Sequence, residues 1–111
     1  MNPDRSFRFE RDVLNRRLIS LLSASDIPYV VGADGRAHFQ SDDDARFERV
    51  LNEVRSGVFP SWQVLSFPAE WEGRYRNALA ERAVNFEEEC NDGATEFLLP
   101  ADATPLEWAI G

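Results

Sequence analysis

The stretch from Ile27 to Val54, IPYVVGADGRAHFQSDDDARFERVLNEV, constrains this chain more than any other. Tyr29 to Gly32 and Arg36 to Gln40 are short β-branched and aromatic runs, and the Gly-Ala-Asp-Gly between them supplies the positive-φ positions of a tight turn. A β-hairpin is predicted here. It hands directly to a helix: Ser41 is placed to cap it, Asp42, Asp43 and Asp44 fill its first turn, and Asp44 completes a capping box. Phe47, Val50, Leu51 and Val54 form the apolar stripe, Asp42 and Arg46 make an i,i+4 pair, and Arg55 sits in the last turn. Gly57 is positioned to end the helix in the left-handed conformation.

Before this segment, Phe7, Phe9, Val13, Leu14, Leu18, Leu21 and Leu22 recur mostly at helical spacing, which predicts a helix ending near Ser23. The strict alternation of Phe7, Arg8, Phe9 and Glu10 also fits a short strand over residues 5 to 10; the helix is the preferred reading. After it, Trp62 to Phe67 reads as a strand apolar on both faces, expected inside a sheet, and Pro68 opens the next helix. Trp71, Tyr75, Leu79, Ala83, Phe86 and Cys90 then recur at about four residues, predicting a long third helix closed by Asn91, Asp92 and Gly93. Thr95 to Leu99 reads as a strand. Leu106, Trp108 and Ile110 alternate with Glu107 and Ala109, fitting either a last edge strand or a tail across the core.

The expected architecture is therefore a single α+β domain over residues 1–111, in the order α-β-β-α-β-α-β with or without a C-terminal strand. Its sheet is mixed or antiparallel, covered mainly on one face by helices, and loosely ferredoxin-like. A chain of 111 residues with 43% hydrophobic content has enough apolar surface for one core. No signal pattern opens the chain and no apolar run approaches a membrane span, so a cytoplasmic location is expected, with no membrane partner.

The net charge of -8 argues against nucleic acid as partner, because phosphate binding needs a basic face. All 12 basic residues are arginine, which leaves no lysine for Schiff-base chemistry or a phosphate-binding P-loop. No metal or cofactor is expected. Asp42, Asp43 and Asp44 beside His38 are oxygen and imidazole donors, but consecutive helical residues diverge by about 100° and do not converge on one ion. Asp34-Gly35 lacks the remaining ligands of a calcium loop. Cys90 and His38, the single cysteine and histidine, have no third group or elbow motif to frame them as nucleophile and base, and an enzyme is not expected.

The run Glu87, Glu88 and Glu89 with Asp92 falls at the C-terminus of the expected third helix, where the dipole disfavours anions. Folding alone does not explain such a run, and these four carboxylates are the candidate partner-binding site. Neutralising the three glutamates is expected to leave stability unchanged or slightly higher. In size and charge the chain resembles the immunity proteins that bacteria keep beside their toxins, although no motif carries that likeness. The resemblance implies a non-enzymatic inhibitor of a basic partner such as a nuclease toxin, with Trp62, Trp71 and Trp108 as candidate aromatic anchors. The alternative is a small ligand-binding or regulatory domain acting as a homodimer.

Overall fold

The computed structural model describes residues 3–103 and bears out the α+β class. Six strands run β1 (Arg5–Phe9), β2 (Val30–Val31), β3 (Ala37–Phe39), β4 (Trp62–Ser66), β5 (Glu87–Asn91) and β6 (Ala94–Pro100). Three α-helices join them: α1 (Asp12–Ser23), α2 (Asp44–Val58) and α3 (Glu72–Glu81). The strands form one sheet in the order β2-β3-β1-β5-β6-β4, and every neighbouring pair is antiparallel.

Residues paired across an antiparallel ladder share a face, so the register assigns the two sides of the sheet. One side carries Phe7, Phe9, Ala37 and Phe39, which pack with Leu18 and Leu22 of α1 and Phe47, Leu51 and Val54 of α2. The opposite side carries Phe97 and Leu99, which pack with Leu79 of α3 and with Leu65, Phe67 and Phe86. Helices thus cover both faces, each over a different half, where coverage mainly on one face was expected. The division explains why Phe97, Leu98 and Leu99 are all buried despite pointing alternately to the two sides.

The 30–39 hairpin forms as expected, closed by the Gly32 N–H donating to the Arg36 carbonyl at 2.9 Å, with Gly35 at φ 85° in its turn. Four other local expectations are corrected. Arg5–Phe9 is a strand, and alternation was the true signal: Phe7 and Phe9 face the core. Ser41 opens a 3₁₀ turn, Ser41–Asp43, and no side chain caps α2; the Ser41 hydroxyl and N–H instead both donate to the Asp4 carboxylate at 2.8 Å. Gly57 lies inside α2, which ends at Val58. A Cβ there would stand 3.2 Å from Arg17 Nη1, so the glycine makes room for that guanidinium. The strand β4 is at the sheet edge, not inside it.

The largest correction concerns the third helix. It stops at Glu81, where Ala83 turns left-handed at φ 54° and the Val84 N–H donates to the Leu79 carbonyl at 3.0 Å. Glu87–Asn91 is the strand β5, joined to β6 by a tight turn with Asp92 at φ 51° and Gly93 at φ 86°. A spacing of four is one helical turn but also two strand repeats, so Phe86 and Cys90 share a face in either conformation. The stripe could not separate the two. The alternating stretch at residues 106–110 lies outside the described residues.

Candidate functional site

As a strand, the acidic run has a different meaning. Glu87, Glu88 and Glu89 point alternately to the two sides of the sheet, and each meets an arginine from a different part of the chain. Glu87 pairs at 2.9 Å with Arg11, which precedes α1. Glu88, on the α3 side, accepts from Arg76 Nη2 at 2.6 Å and Nε at 3.3 Å. Glu89, on the α2 side, accepts from Arg55 Nη2 at 2.7 Å and Nε at 3.0 Å, a bidentate pair. Three elements are thereby tied to one central strand.

The Arg55–Glu89 pair is buried, with the two side chains 4% and 0% exposed. Arg55 Nη1 also donates to Glu48 at 2.9 Å and Asn52 at 3.2 Å, and its guanidinium lies 5.9 Å from the Phe7 ring and 5.2 Å from the Trp62 ring. Burial opposes its charge, but Glu89 and Glu48 more than offset this and raise its pKa. Burial also pushes the Glu89 carboxyl up from its ordinary value, with the Arg55 hydrogen bonds holding back part of the rise. The Arg76 pKa is raised chiefly by its hydrogen bond to Glu88.

Asp92 anchors the other end of β5. Its Oδ1 accepts from the Ser6 N–H at 2.8 Å and its Oδ2 lies 3.1 Å from Arg5 Nε. Of the four expected partner-binding carboxylates, then, Glu89 has no exposed surface, Glu87 and Glu88 are largely covered and paired, and only the Asp92 side chain is well exposed, at 41%. The four do not share a face. Of the arginines that hold the run together, Arg11 and Arg76 went unassigned in the sequence and Arg55 was placed only in the last turn of its helix, because the glutamates were placed on a helix.

A second group of carboxylates does converge. Arg5 Nε bridges Asp92 and Asp44, the latter at 3.6 Å, and Glu48 follows Asp44 by one turn on α2. Arg5, Asp44 and Glu48 rim a cleft of about 310 Å³ between α2 and the sheet, floored by Phe7, Phe39, Phe47 and Leu51, with Asp92 reaching Arg5 from outside its lining. Asp44 and Glu48 are 45% and 57% exposed.

The other candidate groups are dispersed. His38 and Cys90 lie on the same side of the sheet with β1 between them, opposite Ser6 and Arg8 respectively, so they are more than two strand spacings apart, over about 9.6 Å, and beyond hydrogen-bond reach. The Tyr29 hydroxyl is 2.5 Å from Ser23 Oγ, and Tyr75 is buried and stacked on Phe67. Asp43 is buried against Arg46 and points away from a shared site with Asp42 and Asp44. No group of three or more metal-ligating side chains occurs among the described residues. Trp62 is half-buried, its indole N–H donating to Ser56 Oγ at 3.1 Å, and Trp71 is 37% exposed under the Arg74 guanidinium. Trp108 lies outside the described residues. Among the described residues no helix is long and apolar enough to cross a membrane.

The fold and its clamped central strand define an α+β domain built around arginine–carboxylate pairs. The chain matches no protein-family model, no curated protein and no solved structure.

Proposed function

We propose that this protein is a non-enzymatic interaction module, an inhibitor of the immunity type that binds and neutralises a basic partner such as a nuclease toxin. The observation that supports it is a set of well-exposed carboxylates at an aromatic-floored cleft: Asp44 and Glu48 line it, and Asp92 shares with Asp44 the bridging Arg5 at its rim. Such a rim suits lysine or arginine side chains of a partner, which would take over carboxylates now held by Arg5 (Asp44 and Asp92) and Arg55 (Glu48). The net charge of -8 adds long-range steering toward a cationic surface. Under this reading the contact residues are Asp44, Glu48 and Asp92, while Glu87, Glu88 and Glu89 serve the fold.

The test is capture of the partner with the full chain from cells of the source organism, then titration against wild type and Asp44→Asn/Glu48→Gln at low and high salt. The variant should bind more weakly, and the difference should shrink as salt rises. Equal affinity for both proteins at every salt concentration would remove the proposed contact surface. The second reading, a homodimeric ligand-binding or regulatory domain, is favoured by one observation, an uncharged strand at the sheet edge.

A further inference from the structure

We propose that the outer edge of β4 pairs with the same edge of a second copy of this chain, antiparallel about a local twofold at Val64, to make one continuous sheet. Ser56 to Ala69, SGVFPSWQVLSFPA, contains no charged residue in a chain that is 29% charged. That stretch supplies the terminal strand of the sheet, and among the described residues β4 pairs only with β6. Edge strands are ordinarily guarded by charge, proline, a bulge or shortness. At the opposite edge β2 has two residues and is protected by shortness. By contrast β4 has five residues, no charge, no internal proline, and an uninterrupted register from Trp62↔Pro100 to Ser66↔Glu96.

The hydrogen-bond phase is set by the Ala101 N–H donating to the Ser61 carbonyl at 3.0 Å, one step beyond the Trp62↔Pro100 pair. Bonded and non-bonded pairs alternate along an antiparallel ladder. Gln63 and Leu65 therefore bond inward to β6, while Trp62, Val64 and Ser66 direct their N–H and C=O groups outward. These three form a self-complementary set. With the twofold at Val64, Val64 faces its own copy and Trp62 faces Ser66 of the second copy, each pair exchanging two backbone hydrogen bonds. Pro60 and Pro68 bracket the strand and lack N–H groups, so a slip by two residues loses bonds and this register keeps the most. The occupant is a second copy because the outward groups of Trp62, Val64 and Ser66 complement themselves about a twofold, and because chains of charge -8 repel where their carboxylates meet whereas residues 56–69, brought together here, carry none.

The experiment measures mass by sedimentation and amide exchange by NMR on the full chain, from about 5 to 500 µM, in wild type, Val64→Pro and Ser66→Pro. Each substitution removes an outward N–H and no bond to β6; Ser66 is exposed, so its variant is the safeguard if Val64→Pro unfolds. Wild type should move from 12.7 kDa toward twice that mass with rising concentration. The amides of Trp62, Val64 and Ser66 should gain protection in step, while those of Gln63 and Leu65 stay protected throughout. Both proline variants should remain monomeric. A monomer at every concentration with those three amides unprotected overturns the proposal. So does concentration-independent protection in a monomer, which assigns the edge to the chain's own C-terminal segment. Protection only on adding another protein, or a dimer indifferent to both prolines, overturns it as well.

Discussion

Replacing Arg55 with methionine removes the guanidinium that joins α2 to the central strand while keeping a flexible apolar side chain in its place. The substitution deletes two bonds to Glu89 and those to Glu48 and Asn52, and it leaves the Glu89 carboxylate buried with no cation beside it. Breaking a buried pair from one side costs about 3 to 5 kcal/mol. Such a loss is a large part of the roughly 5 to 15 kcal/mol stability of a domain this size. Removing both partners is a different matter, because it also removes the desolvation that opposes the charge on each of them. The double variant Arg55→Met/Glu89→Leu should therefore lie within about 1 kcal/mol of wild type or be more stable by up to about 4 kcal/mol. Urea unfolding of wild type, both single variants and the double variant, followed by tryptophan fluorescence, completes the cycle. A loss below about 1 kcal/mol for Arg55→Met, or a double variant as unstable as the sum of the singles, would refute the buried pair.

Three further outcomes follow from local geometry. The Asp4 carboxyl is held below its ordinary value first by the Ser41 N–H and then by the Ser41 hydroxyl, so Ser41→Ala should raise its pKa part of the way back. A lowered carboxyl stabilises above its unfolded value of 3.8 and loses that effect as pH falls through the folded value. Carboxyl NMR titration of both proteins reads this directly, and an unmoved Asp4 would contradict the contact. Trp71→Ala should cost about 1 to 2 kcal/mol, less than the 3 to 5 kcal/mol of a fully buried tryptophan, because Trp71 is 37% exposed and rests on Tyr75. A thermal melt showing the larger loss would place it in the core. Gly93→Ala should cost about 1 to 2 kcal/mol from backbone strain alone, since φ is 86° and nothing lies within 4 Å of the added Cβ; an unchanged melting temperature would mean another turn conformation.

The parts of the fold legible in the sequence are those with a signal that one period alone explains. The Gly-Ala-Asp-Gly turn and the 47–54 stripe have such signals, and hairpin and helix stand where they were expected. Residues 5 to 10 carried the right signal, alternation, which lost to the helical spacing that follows it. From Ala83 to Cys90 the spacing of four satisfied both periods, and the turn at Ala83 has no glycine or proline to announce it. The misplacement passed to the candidate site. On a helix terminus three adjacent glutamates look unexplained by folding; on a strand they separate to two faces, where Arg11, Arg55 and Arg76 arrive from distant positions that no local pattern joins. Asp44 and Asp92 come together only because β1 lies between β3 and β5, placing Arg5 within reach of both α2 and the 92–93 turn.

The most direct measurement of whether the acidic run belongs to the fold is urea unfolding of the three single variants Glu87→Gln, Glu88→Gln and Glu89→Gln. Glu89→Gln should lose about 2 to 4 kcal/mol, because the amide turns a donor toward a buried guanidinium that needs an acceptor. Glu87→Gln and Glu88→Gln, whose arginines are well exposed, should each change stability by less than about 1 kcal/mol. Three variants all as stable as wild type, or more so, would contradict the clamped strand and restore a run of repelling charges free to serve a partner.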